Sequence, residues 1–228
     1  MKIQRAVGME FLGTAILAFA IVGSGIMATN LTSDSALRLL INAISTAVGL
    51  AVVIRVGMKV SGSHFNPAVT LVMLFIKKID AQSSIFYISA QILGAISGVS
   101  TANFIFDQKV LGSSMIDRSG SNLFVSEVIA TAVLLWIILR FPKRDDLVAL
   151  YVPLWIFGGI LLTSSTAFAN PAITIGRVFT TSITGIAPES ILAFIIAQII
   201  GAVIGLLIAR NITNPKGTTD NELSLIHI

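Results

Sequence analysis

"SGSHFNPAVTLVMLFIKK", residues 61–78, and "AFANPAITIGRVFTTS", residues 167–182, share the core Asn-Pro-Ala and set it between hydrophobic runs. Asparagine and proline are poor choices for a helix interior and good ones for a helix start. Asparagine caps free amides, and proline in the first turn gives up an N–H that would be unpaired anyway. Asn66-Pro67-Ala68 and Asn170-Pro171-Ala172 therefore both read as helix beginnings. With its Asn-Pro, each following apolar run makes a helix of about 11 residues, or about 16 Å at 1.5 Å per residue. That is half of a hydrocarbon core of about 30 Å. Half-helices at membrane depth survive only where their exposed backbone is buried in protein or faces a water-filled cavity.

Composition places these helices in lipid. The chain has 228 residues, 55% hydrophobic and 11% charged, and its mean hydropathy is +0.92. A soluble domain of this size could not hide so much apolar surface. Six runs are long enough to span, over residues 7–28, 39–57, 84–106, 124–141, 147–163 and 191–209. The first carries Glu10 and is followed by five more, so it reads as a retained span rather than a signal peptide.

Cysteine is absent, which removes disulfide and thiolate chemistry, and two distant histidines make a metal centre an unfavourable reading. The pattern calls for no cofactor. The net charge of +4 does not point to nucleic acid, because the basic residues lie in short turns between spans. With the N-terminus inside, eleven of the fifteen (Lys2, Arg5, Arg55, Lys59, Lys77, Lys78, Arg140, Lys143, Arg144, Arg210, Lys216) fall on the cytoplasmic side. Arg38, Lys109, Arg118 and Arg177 fall outside. This bias fits the positive-inside rule.

The chain also repeats itself. "AQILGAISG" from Ala90 returns as "AQIIGAVIG" from Ala197, and "EFLGTAIL" from Glu10 is echoed by "EVIATAVL" from Glu127. With the two Asn-Pro-Ala cores, that makes three landmarks in one order. Three spans per half is an odd number, so the second copy enters the bilayer from the opposite face. Inverted repeats of this kind put their site near the midplane. The expected organisation is one domain over 1–212, with repeats at 6–106 and 123–210, a polar external linker at 107–122, and a cytoplasmic tail at 213–228. The last six residues, "LSLIHI", resemble translated adapter sequence and are set aside with His227.

If the halves are inverted, the two short helices meet N-terminus to N-terminus, stacking two positive dipole ends where cations are disfavoured. Asn66 and Asn170 can each cap a helix and still offer an amide N–H to water or a hydroxyl. Gly94 with Gly98, and Gly201 with Gly205, mark small faces for close helix approach. Gln91 and Gln198 are expected to bond between helices.

"SGSHFNPAVT", "ANPA", "EFLGT" and "AQILGA" resemble the aquaporin and aquaglyceroporin family, the major intrinsic proteins, over nearly the whole chain up to Arg210. The resemblance implies an all-α membrane protein with six transmembrane helices, two re-entrant half-helices and inverted three-span repeats. It implies a homotetramer in the inner (plasma) membrane with cytoplasmic termini, each protomer passing water or small neutral solutes and excluding protons and ions. By the same resemblance, Glu10 and Glu127 brace the re-entrant loops. His64, just before the first motif, lines the inner approach through its backbone carbonyl or packs.

The sequence departs from the family at the outer constriction. The arginine usual after the second Asn-Pro-Ala is replaced by Ile173. The next arginine, Arg177, lies one turn further out on the same face. It lines the outer vestibule or pairs with the half-helix's own terminal carbonyls, and both readings stand. Gap-free spacing carries the other constriction positions to Thr46, Gly158 or Gly159, and Ala167. With no aromatic or histidine among them, the ring reads as wide. "TSSTAFANPAITIGRVF" looks like a bacterial subgroup linked to arsenic resistance, which extends the expected solutes from glycerol-like polyols to arsenous acid. The competing class is an inverted-repeat secondary transporter, which would need a coupling group at the midplane; a water-only channel is the narrower alternative.

Overall fold

The computed structural model describes residues 2–212; the expectations for the tail and for His227 fall outside the described residues. Six long helices carry the hydropathy runs: α1 (Lys2–Leu31), α2 (Ser35–Ser61), α4 (Ala81–Ile105), α5 (Ser121–Arg140), α6 (Asp145–Leu162) and α8 (Ile191–Asn211). Each is long and apolar enough to cross a membrane. Between them lie two short helices, α3 (Pro67–Phe75) and α7 (Pro171–Gly176), the latter extended by a 3₁₀ turn over Arg177–Phe179.

Local chemistry sets the boundaries. Asp34 caps α2 by accepting the Leu37 amide at 2.8 Å, and Asp80 caps α4 by accepting that of Ser83 at 2.9 Å. Gly62 ends α2 in the left-handed region, at φ 82°, and its amide donates to the Met58 carbonyl. α3 has nine residues, about 14 Å of helix. α7 has six residues, after which the helix tightens to a 3₁₀ turn over Arg177–Phe179 and ends where Thr180 becomes extended.

Equivalent pairs pack in each half: α1 on α4, and α5 on α8, with α2 facing α6 across the middle. The glycines set the spacing. A methyl at Gly94 or Gly98 would strike the carbonyl of Phe11 or Ala15 on α1, and one at Gly201 or Gly205 would strike that of Val128 or Ala132 on α5. Backbones this close exchange dispersion contacts that lipid chains cannot match. Leu12, Ile44, Val52, Val56, Leu93, Leu154, Leu192 and Val203 point outward and are exposed, which suits a surface solvated by lipid.

Candidate functional site

The α3 and α7 N-termini are built alike. Asn66 and Asn170 share an extended backbone with φ −156°. The Asn66 Oδ1 accepts the Ala68 amide at 2.9 Å, and the Asn170 Oδ1 accepts those of Ala172 at 3.0 Å and Ile173 at 3.3 Å. Each Nδ2 then crosses to the other repeat. Asn66 donates to the Ala169 carbonyl at 2.7 Å, and Asn170 donates to the Phe65 carbonyl at 2.8 Å. These reciprocal bonds tie the two helix tips together. Because an amide nitrogen carries two protons, each asparagine keeps one N–H for the cavity that both border. Sequence reading missed the cross-bond, since it joins residues more than 100 positions apart.

The loops leading into the tips have left-handed backbone at non-glycine residues: Ser63 and Phe65 in one, Thr166, Ala167 and Ala169 in the other, with φ between 44° and 60°. Each such residue costs about 1–2 kcal/mol, so something must hold it. In the first loop the Glu10 carboxylate accepts the amides of His64 (3.0 Å) and Phe65 (2.6 Å), the Ser61 hydroxyl (2.6 Å) and Gln91 Nε2 (2.7 Å). In the second, Glu127 accepts the amides of Phe168 and Ala169, both at 2.9 Å, and Gln198 Nε2 at 2.7 Å. The same glutamines donate to Thr70 and Thr174 on the half-helices, both at 2.9 Å. Both carboxylates are fully buried and accept on both oxygens, which makes these bonds strong for their number.

The cavity runs from Lys78, Phe141 and Lys143 at one end, past His64, Asn66 and Asn170, to Asn42, Thr46 and Arg177 at the other. One wall is aliphatic, with Leu17, Ile21, Leu50, Ile54, Leu134 and Ile138 among its residues. The loop segments 62–66 and 166–170 also contribute to the lining. Thr46 is 2% exposed and its hydroxyl has no protein partner. His64 borders the cavity, its Nδ1 lies 3.1 Å from the Thr70 hydroxyl, and its ring meets Tyr87 edge-on.

Of the proposed constriction residues, Thr46, Ala167, Ile173 and Arg177 border the cavity. Gly158 does not, and that assignment is corrected. α6 turns Val148, Val152, Ile156 and Ile160 to the lumen at intervals of four. A position two residues from 156 and from 160 is rotated about 200° away, onto the opposite face. Gly159 instead packs on the loop, where an added Cβ would sit 3.0 Å from that of Ala167. Ile156 and Ile160 take the place given to glycine, so this wall is bulkier than the spacing implied.

Arg177 is 5% exposed. Its Nε donates to the Thr184 carbonyl, and its guanidinium lies over the Phe168 ring, 3.3 Å from the centroid. Its partner is thus a carbonyl of the following loop rather than one at the end of its own helix. Among the described residues, no group of three His, Asp or Glu side chains could hold a metal ion.

The sequence profile of the family described as Major intrinsic protein matches residues 1–164, which includes the first Asn-Pro-Ala and ends before the second. An aquaglyceroporin of Rhizobium meliloti, AqpS, is 40% identical over 209 residues, covering 90% of this chain and 89% of that protein. Glycerol uptake facilitator protein-like 6 of Lactiplantibacillus plantarum is 31% identical, covering 88% and 94%. The solved aquaglyceroporin of Plasmodium falciparum superposes with a TM-score of 0.77 over 98% of this chain and 99% of its own, at 22% identity. That structure speaks to the fold.

Proposed function

The chain belongs to the major intrinsic protein family, and from that premise we propose that it is a passive membrane channel for water and small neutral solutes of the glycerol class. The observation that carries this reading is the mixed lining of one cavity: aliphatic side chains together with the two paired half-helix tips, whose Asn66 and Asn170 each have one N–H left after the cross-bond. A polyol presents carbon on one edge and hydroxyls on the other, and such a lumen suits both. In aquaporin-type pores generally, diameter, lining donors and electrostatic barriers set selectivity.

On this reading, Thr46, Ala167, Ile173 and Arg177 form the outer constriction, with Ile160 where Gly158 was expected. Thr46 borders the cavity, and its buried hydroxyl has no protein partner. The terminal nitrogens of Arg177 supply the positive charge that Ile173 does not. Two helix N-termini at the midplane add to it, so protons and cations meet positive potential at two depths. Glu10 and Glu127 act as braces, since every partner they have is a donor and no titratable chain links them.

None of the side chains proposed above for the constriction is itself aromatic, and arsenous acid, a neutral polyhydroxylated molecule of similar size, belongs to the proposed solutes. We also propose a homotetramer in the inner membrane with cytoplasmic termini, on family membership and the bias of basic residues. The test is stopped-flow light scattering on proteoliposomes, comparing water, glycerol and arsenous acid. Glycerol flux well above that of empty vesicles is expected. Water flux with no solute permeability would overturn the solute assignment.

A further inference from the structure

The linker between the repeats does more than connect them. It lies across the outer mouth as a strap. The Ser114 amide donates to the Val178 carbonyl, and the Ala187 amide to the Ile116 carbonyl, both at 2.8 Å. The Arg118 amide donates to the Ser190 hydroxyl at 3.0 Å. Beyond this backbone register, Arg118 places its guanidinium on the segment that holds Arg177. Its Nε donates to the Gly185 carbonyl at 2.8 Å and its Nη2 to the Ile183 carbonyl at 3.3 Å. Those carbonyls flank Thr184, whose own carbonyl accepts Arg177 Nε. Both guanidiniums also share one ring: that of Arg118 is 4.9 Å from the Phe168 centroid and that of Arg177 is 3.3 Å from it. The two charges are therefore within about 8 Å of each other, inside one Debye length at physiological salt.

Among the described residues no carboxylate makes an ion pair with either, although the buried Glu127 lies close enough to attract both. Asp117, the nearest acid in sequence, is taken up by the hydroxyls of Ser119 and Ser190. Among the described residues, the one ion pair is Arg144 with Asp146.

We propose that Arg118 is a positioning residue for selectivity: it clamps residues 183–185 so that Thr184 holds Arg177 over Phe168, and the linker thereby sets the width and charge of the outer constriction. This rests on the reading that Arg177 lines that constriction. A planar fork suits the task because it can span two carbonyls at once, which a lysine ammonium cannot do in a fixed geometry.

The experiment uses the full-length protein in liposomes, with water and glycerol permeability and cation leak read for wild type, Arg118→Gln, Arg118→Lys, Arg177→Ala and the double variant Arg118→Gln/Arg177→Ala. Arg118→Gln is expected to change the glycerol-to-water ratio by about threefold or more and to raise cation leak, with Arg118→Lys intermediate. In the Arg177→Ala background, Arg118→Gln should add nothing, because its effect passes through Arg177. A merely structural role would lower both fluxes together and leave their ratio fixed. A ratio within twofold of wild type for Arg118→Gln, or an equal change with and without Arg177, overturns the proposal. If Arg118→Gln does not reach the membrane, Arg118→Lys carries the same comparison. Should Arg177→Ala itself leave ratio and leak unchanged, the constriction reading fails instead, and the two failures are distinguishable.

Discussion

Glu127→Gln is nearly isosteric, yet it should be among the most damaging single changes in the molecule. The carboxylate accepts from three N–H donors, the amides of Phe168 and Ala169 and the Gln198 side chain, and from the Ser165 hydroxyl. Glutamine offers one oxygen in place of two and turns an NH₂ group toward at least one of those donors. Losing charge assistance costs about 1 kcal/mol for each of three bonds, and one buried N–H left facing another N–H adds about 1–3 kcal/mol, giving about 4–6 kcal/mol. The loop cannot absorb this by relaxing locally, since Thr166, Ala167 and Ala169 already hold left-handed backbone. A shift of Ala169 would also withdraw the carbonyl that Asn66 Nδ2 bonds, so the damage reaches the other half-helix. Thermal unfolding in detergent, followed by size-exclusion chromatography, reads the stability, and water flux in liposomes reads the site. A Glu127→Gln protein within about 1 kcal/mol of wild type, with unchanged flux, would refute the reasoning, because then the bonds do not depend on two accepting oxygens.

Other changes separate packing from the lumen. Gly201→Ala drives a methyl into the Val128 carbonyl on α5 and should cost about 1–3 kcal/mol by overpacking, seen as a lower unfolding temperature. Thr46→Val removes a buried hydroxyl that has no partner, so stability should hold or rise by up to about 1 kcal/mol in the same unfolding measurement. Ile160→Trp fills the aliphatic wall and should cut glycerol flux by about tenfold with a smaller loss of water flux. The matching change at Gly158, on the far face of α6, should leave the flux ratio alone.

Much of this was legible in the sequence because lipid and helix chemistry leave few choices. Six long apolar runs can only be spans, and Asn-Pro before a short apolar run can only start a helix that stops midway. Small faces on α4 and α8 for close helix approach were visible in glycines four residues apart, while their partners, α1 and α5, came with the fold. What the sequence could not convey was register across a loop. Counting back from Asn170 to Gly158 assumed a path for residues 163–169, but three of those residues turn left-handed, and α6 reaches the cavity through Ile156 and Ile160. The crossed Asn66 and Asn170 bonds need both loops in space, and no local pattern encodes them. Arg118 lies in a polar, glycine-bearing linker with no periodicity, where one arginine among serines carries no signal of its carbonyl partners. Arg177 follows Ile173 by four residues, but the partner that fixes it, Thr184, became visible only with the fold.

The most direct measurement is glycerol entry into proteoliposomes as a function of glycerol concentration, with and without an imposed pH gradient. A lumen open past the paired half-helices gives entry that rises linearly with concentration and ignores the gradient. Entry that saturates and is driven by the pH gradient would contradict a passive channel and mark an alternating-access transporter.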